Sequence, residues 1–240
     1  MIDGRSSLIV ALDVPDRVTA LELARRLEGR VGVLKVGLQL FVAEGPHLVE
    51  ELRDMGHAVF LDLKLHDIPN TVAGAVRSAS RLGVQMLTLH TSGGRKMMEA
   101  AAAAAAQSPS PPLLLGVTAL TSMSPEDCLS IGIARSPADW VERLARLARE
   151  AGLGGLVTSP LEAPVLRRAF GDAVRLVVPG IRRAGADAHD QARTATPAEA
   201  VRAGADYIVV GRPILQSPDP ALAADAIVAE IMEGRSAASR

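Results

Sequence analysis

The run Asp62-Leu63-Lys64-Leu65-His66-Asp67-Ile68-Pro69-Asn70-Thr71 sets two carboxylates and an ammonium close together. It follows the apolar, β-rich residues Ala58 to Leu61. In an extended strand, residues two apart face the same way, so Asp62 and Lys64 project together, with Asp67 just beyond, where Pro69 stops the strand. Charges crowded at a strand end are costly to desolvate. An ammonium fixed among carboxylates can hold a proton and stabilise negative charge as it develops in a reaction. By itself the run is equally readable as a solvated, salt-bridged strand terminus.

What positions these residues is an alternation of short β-branched runs with longer helical patterns. Strands are expected over Leu8 to Leu12, Val33 to Val36, Ala58 to Leu63, Met86 to His90, Leu113 to Val117, Gly155 to Thr158, Leu176 to Val178 and Tyr207 to Arg212. Between them, helical spacing and breakers mark Val18 to Leu27, His47 to Asp54, Val72 to Arg81, Met97 to Gln107, Trp140 to Glu150, Glu162 to Phe170, Pro197 to Ala203 and Ala221 to Met232. The Ala-rich tract after Met97 reads as a helix, because alanine has the highest helix propensity. Arg183 to Thr196 has no apolar period and reads as a long loop, and the small polar tail from about Gly234 is expected to fray.

Alternation of this kind means a parallel sheet with right-handed crossovers, and eight repeats favour one α/β domain over residues 1–240, a (β/α)8 TIM barrel. An open doubly wound sheet would usually carry a Gly-rich turn after its first strand, where this chain has Asp13-Val14-Pro15-Asp16. In a barrel the C-terminal strand ends form the active site. Polar residues collect there: Asp13, Lys35, Asp62, Lys64 with Asp67, Thr118 and Thr121, Arg182, and Gly211 with Arg212. The last strand suggests a phosphate site, since Gly211 lets an anion approach the backbone and Arg212 offers a planar fork. Gln191 could close on the same phosphate from the loop.

With those residues placed, the chain resembles the orotidine 5′-phosphate decarboxylase family from about Leu8 to Leu215. The motifs are Ala11-Leu12-Asp13, Lys35-Val36-Gly37, the Asp62 to Thr71 block, Val117 to Ser122, Pro179-Gly180-Ile181-Arg182 and Val210-Gly211-Arg212. The resemblance implies cofactor-free and metal-free decarboxylation of orotidine 5′-monophosphate to uridine 5′-monophosphate, the last step of de novo pyrimidine synthesis. It implies that Lys64 protonates C6 within an array of Lys35, Asp62, Lys64 and Asp67. Asp13 and Lys35 would hold the ribose, Thr121 the pyrimidine, and Arg182, Gln191, Gly211 and Arg212 the phosphate. It also implies a homodimer in which Asp67 and Thr71 reach the neighbouring site.

Two other readings stand beside this one. A related Asp-x-Lys-x-x-Asp motif serves magnesium-dependent sugar-phosphate enzymes on the same scaffold, and a barrel that only binds a nucleotide would keep the fold without the reaction. The Ile68-Pro69-Asn70-Thr71 continuation and the complete charged set favour the decarboxylase. His66 and His90 lack a partner at metal-ligand spacing and read as structural or supporting residues, and the lone Cys128 as a small buried thiol. A formal net charge of −1 gives no global field for nucleic acid or a membrane surface. With no signal-peptide pattern and no apolar stretch of about eighteen residues, the chain reads as cytoplasmic.

Overall fold

Period-two alternation along the strands sorts their side chains into two apolar layers. Ile9, Val33, Phe60, Met86, Leu115 and Val177 pack together as one buried cluster. Their sequence neighbours, among them Leu8, Val10, Leu34, Leu61, Leu87 and Leu176, join a larger cluster shared with the helices. A sheet that is apolar on both faces needs cover on both, which closure into a barrel and a helical coat provide.

The computed structural model describes residues 4–134, 136–182 and 194–238. Strands β1 (Leu8–Ala11), β2 (Val33–Gly37), β3 (Ala58–Leu65), β4 (Met86–His90), β5 (Leu113–Val117), β6 (Gly155–Val157), β7 (Arg175–Val178) and β8 (Tyr207–Val210) form one closed barrel in sequence order. Every pairing is parallel, including β8 back onto β1. The (β/α)8 architecture read from the alternation is the one observed.

Helices α1 (Arg17–Arg26), α2 (Leu38–Asp54), α3 (Pro69–Arg81), α4 (Arg95–Ala106), α5 (Pro125–Ser130), α6 (Pro137–Glu150), α7 (Ala163–Phe170), α8 (Pro197–Arg202), α9 (Arg212–Leu215) and α10 (Pro220–Ala238) join the strands. Their starts follow local chemistry. Asp16 caps α1 by accepting from the Thr19 N–H at 2.9 Å, and reciprocal capping boxes open α5 (Ser124 with Asp127) and α8 (Thr196 with Glu199). Proline stands in the first turn of α3, α6 and α8, where its missing N–H costs nothing.

Several boundaries differ from the expectation. α2 begins at Leu38, directly after β2 and well before the expected start at His47; the Gly45-Pro46 pair kinks it, with Gly45 at φ 67°. β8 stops at Val210, and Arg212 opens α9 instead of ending the strand. The short α5 was not anticipated, although Ser124-Pro125-Glu126-Asp127 spells its capping box. Gly234 does not end the last helix, which runs to Ala238. It is buried, and a Cβ there would meet the Ala198 carbonyl oxygen at 2.7 Å, so the glycine lets α10 lie close on α8. Residues 183–193 of the expected loop, Gln191 included, lie outside the described residues.

The N-terminal end of the barrel is tied by a carboxylate. Asp206, just before β8, accepts from Arg167 Nη2 at 2.5 Å, Arg175 Nη1 at 3.0 Å and the Leu176 N–H at 2.8 Å. Arg167 also donates to the Gly204 carbonyl, which links α7 to the entry of β8.

Candidate active site

Climbing each early strand two residues at a time changes the inward side chain from apolar to polar. On β2, Val33 gives way to Lys35; on β3, Phe60 to Asp62; on β1, Ala11 is followed by Asp13; on β4, Met86 by Thr88. The packed interior therefore ends in a polar rim at the C-terminal strand ends. A cleft opens there, lined by Asp13, Lys35, Asp62, Lys64, Thr121, Arg182, Gly211 and Arg212. Eight residues singled out in the sequence thus meet in one place.

Four of them form a chain of alternating charge. Lys35 Nζ lies 3.2 Å from Asp13 Oδ1 and 3.6 Å from Asp62 Oδ2. The same Asp62 oxygen accepts from Lys64 Nζ at 2.8 Å. The Lys35 and Asp62 side chains are only 10% and 12% exposed, while Lys64 at 30% faces the cleft opening. Burial pushes the Asp62 carboxyl upward, but the Lys35 and Lys64 charges and the hydrogen bonds from Lys64 and Thr88 outweigh it and hold Asp62 below the usual carboxylate value. Gly37 belongs to the arrangement too: a Cβ there would stand 3.1 Å from Lys35 Nζ and crowd the ammonium.

The register explains how one strand delivers both Asp62 and Lys64. β3 advances from Leu61 to Leu65 while β4 advances only from Leu87 to Leu89, which is a bulge. Lys64 sits within it at φ 51°, the one non-glycine residue with positive φ among the described residues. Strain of that kind concentrates where a side chain must be aimed.

The β7 and β8 end of the cleft suits an anion. Arg182 follows β7, and Gly211 and Arg212 lie at the turn from β8 into α9, the part of a barrel where phosphate is commonly held. Arg182 is anchored by its N–H on the Ala195 carbonyl at 2.9 Å and by Nη1 on the Ile181 carbonyl at 2.8 Å. Phe60, Val157, Val177, Pro179 and Val209 also line the cleft. Phe60, Val157, Val177 and Val209 were not anticipated, because in sequence they read only as strand interior.

Not every expected residue joins this cleft. Asp67 accepts from the Ile68 N–H at 2.6 Å and borders a separate open hollow with His66, Ile68, Pro69, Ser92 and Gly93. Thr71 is exposed. Within one chain the charged set runs Asp13, Lys35, Asp62, Lys64. The family resemblance assigns Asp67 to a neighbouring subunit's site, so its place outside its own chain's cleft is no departure from that expectation. Thr118 is buried with its hydroxyl on the Val157 carbonyl at 3.2 Å and does not line the cleft. The His66 and His90 rings lie 5.5 Å apart. Burial first, then the His66 and Lys64 charges, hold His90 below the usual imidazole value. Among the described residues no three His, Cys, Asp or Glu side chains are grouped to hold a metal.

A closed parallel barrel whose C-terminal cleft holds an alternating Asp–Lys chain and two arginines has the fold and the site of a barrel enzyme. The model of the orotidine 5′-phosphate decarboxylase / HUMPS family matches residues 6–227, and the chain belongs to that family. It is similar to the orotidine 5′-phosphate decarboxylase of Opitutus terrae, 54% identical over 224 residues, covering 93% of this chain and 97% of the relative. The enzyme of the same name from Syntrophotalea carbinolica is 52% identical over 236 residues, covering 96% and 97%. Among solved structures, orotidine 5′-phosphate decarboxylase from Lactobacillus acidophilus superposes with a TM-score of 0.84 at 37% identity, covering 93% of this chain and 98% of that one.

Proposed function

We propose that this chain decarboxylates orotidine 5′-monophosphate to uridine 5′-monophosphate and CO2, serving pyrimidine biosynthesis. The observation that carries the reading is the Asp62–Lys64 contact of 2.8 Å, in a cleft that also presents Arg182 and Arg212. The family model carries a second name beside the decarboxylase, but the relatives reported above are orotidine 5′-phosphate decarboxylases.

The chemistry asked of the site is electrostatic. Breaking the C6–carboxylate bond releases CO2 and leaves its electron pair on C6, in an orbital the ring cannot delocalise. An ammonium held beside that carbon stabilises the pair and supplies the proton that forms the new C6–H bond. Lys64 is the donor in this reading, recharged from solvent after release, and Asp62 aims it. Lys35 and Asp13 take the ribose hydroxyls, Thr121 the pyrimidine edge, and Arg182, Gly211 and Arg212 the phosphate. Phosphate binding remote from C6 can then be used in the transition state.

The active unit in this reading is a homodimer. His66 to Thr71 is exposed without interruption just after the cleft residue Lys64 in the chain, and Ile68 is 67% exposed. A second copy covering that run would receive Asp67 and Thr71 into its own site. No helix among the described residues is long and apolar enough to cross a membrane, and the cytoplasm suits the proposed substrate.

The deciding experiment follows the loss of absorbance as purified protein consumes orotidine 5′-monophosphate in excess EDTA. Turnover that survives chelation and falls by at least about a thousandfold in Lys64→Ala is expected for a proton donor that also stabilises charge. A folded wild-type protein without turnover, or turnover abolished by EDTA and restored by magnesium, would overturn the proposal.

A further inference from the structure

We propose that Thr88, a wholly buried hydroxyl on the strand beside the charged pair, is a positioning residue that fixes both the Asp62 carboxylate and the Lys64 backbone; this rests on the function proposed above. The Thr88 hydroxyl donates to Asp62 Oδ1 at 2.9 Å and accepts from the Lys64 backbone N–H at 2.9 Å. Its relative exposure is 0%. No role for it followed from the sequence motifs, since a threonine within a strand reads as ordinary β-propensity.

The geometry divides the labour on Asp62. Oδ2 faces the two ammonium groups, Lys64 at 2.8 Å and Lys35 at 3.6 Å, while Oδ1 is held by Thr88. A threonine hydroxyl has one proton to give, so its direction is settled once Asp62 accepts it. The oxygen lone pairs are then left for the Lys64 amide. That amide cannot join an ordinary ladder, because Lys64 lies in the bulge with φ 51°. One side chain thus satisfies a buried donor released by the bulge and keeps the carboxylate from rotating away from the lysine. Thr88 stands on regular strand directly above Met86 in the interior stack, so its position is set by the barrel wall.

Groups facing Asp62 are Lys35 from β2, Lys64 from β3, Thr88 from β4 and, across Lys35, Asp13 after β1, with His90 at the end of β4. Removing the hydroxyl alone should release the carboxylate while leaving those charges in place. Thr88→Val preserves shape, and Thr88→Ser restores the hydroxyl. With orotidine 5′-monophosphate, Thr88→Val is expected to lower kcat by roughly ten- to a hundredfold, the scale of one hydrogen bond to a charged group, with KM within about twofold. Thr88→Ser is expected to recover most of that loss.

A second measurement needs no turnover: the Asp62 carboxyl is titrated by carbon-13 NMR, and its midpoint should rise in Thr88→Val and return in Thr88→Ser. If valine disrupts folding, Thr88→Ala set against Thr88→Ser makes the same comparison. Valine or alanine variants with wild-type kcat and an unmoved midpoint would overturn the proposal, as would a serine variant no better than valine. Should the wild type fail to decarboxylate, the functional reading falls, and the titration alone still decides the role of Thr88.

Discussion

Lys64 Nζ and Asp62 Oδ2 meet at 2.8 Å although their residues are separated on the chain by Leu63 alone. The pair is unlike a surface ion pair, whose worth is small. Asp62 is largely buried, touches a second ammonium and has its other oxygen bound to Thr88. The contact is therefore held from several directions, and its energetics can be read separately from its chemistry.

Asp62 should make stability depend on pH. Its native carboxyl lies below the ordinary value, because the lysine charges and hydrogen bonds outweigh burial. The unfolded chain therefore takes up this proton first as pH falls, and the associated stability is full above about 3.9 and is lost on passing through the native value. Urea midpoints of wild type and Asp62→Asn should differ most near neutral pH and converge in acid. A gap that stays constant across that range would show that the charge adds no net stability.

Arg212 should act through the phosphate. Arg212→Ala is expected to lose roughly ten- to a hundredfold in kcat/KM for the 5′-monophosphate, in line with the loss of a charge-assisted contact. Toward the nucleoside orotidine, which has no phosphate, the variant and the wild type should be alike. Equal losses on both substrates would place Arg212 elsewhere in the mechanism.

Asp206 offers the contrasting case at the far end of the barrel. It accepts from Arg167, Arg175 and the Leu176 N–H, and its side chain is 11% exposed. Asp206→Ala leaves two guanidinium groups without their shared acceptor, and chemical denaturation should show a loss of about 2–4 kcal/mol. The turnover of the folded fraction should be unchanged, since the N-terminal face of such barrels serves stability. A fall in kcat matching that of a cleft variant would contradict the division.

The proposed dimer makes complementation a sharp test. Lys64→Ala and Asp67→Ala, each inactive alone, should on mixing and subunit exchange regain about a quarter of wild-type activity, because half the dimers are mixed and each holds one intact site. No recovery despite demonstrated exchange would mean that Asp67 serves its own chain.

The barrel was legible because alternation of period two with period near four is a local property of the chain, and the strand order then follows from connection rules. Asp13, Lys35, Asp62, Lys64, Thr121, Arg182, Gly211 and Arg212 were legible because each stands at a strand exit. Thr88 and Gly37 were not. Thr88 matters through a hydrogen bond across strands, and Gly37 through the space it leaves for Lys35, neither of which any periodicity records. The helix expected from His47 is only the second part of α2, which starts at Leu38 and bends at Gly45-Pro46.

The bulge in β3 also bears on transplantation of this site. Copied onto a strand in regular register, Asp-x-Lys would carry the right side chains along the wrong chain path, with the lysine amide tied into the neighbouring ladder. Here the backbone accepts a left-handed residue, at a cost on the order of 1–3 kcal/mol, and Thr88 receives the amide that is set free. A designer moving the chemistry to another barrel would have to move a piece of two adjacent strands, unpaired stretch included, and not a motif.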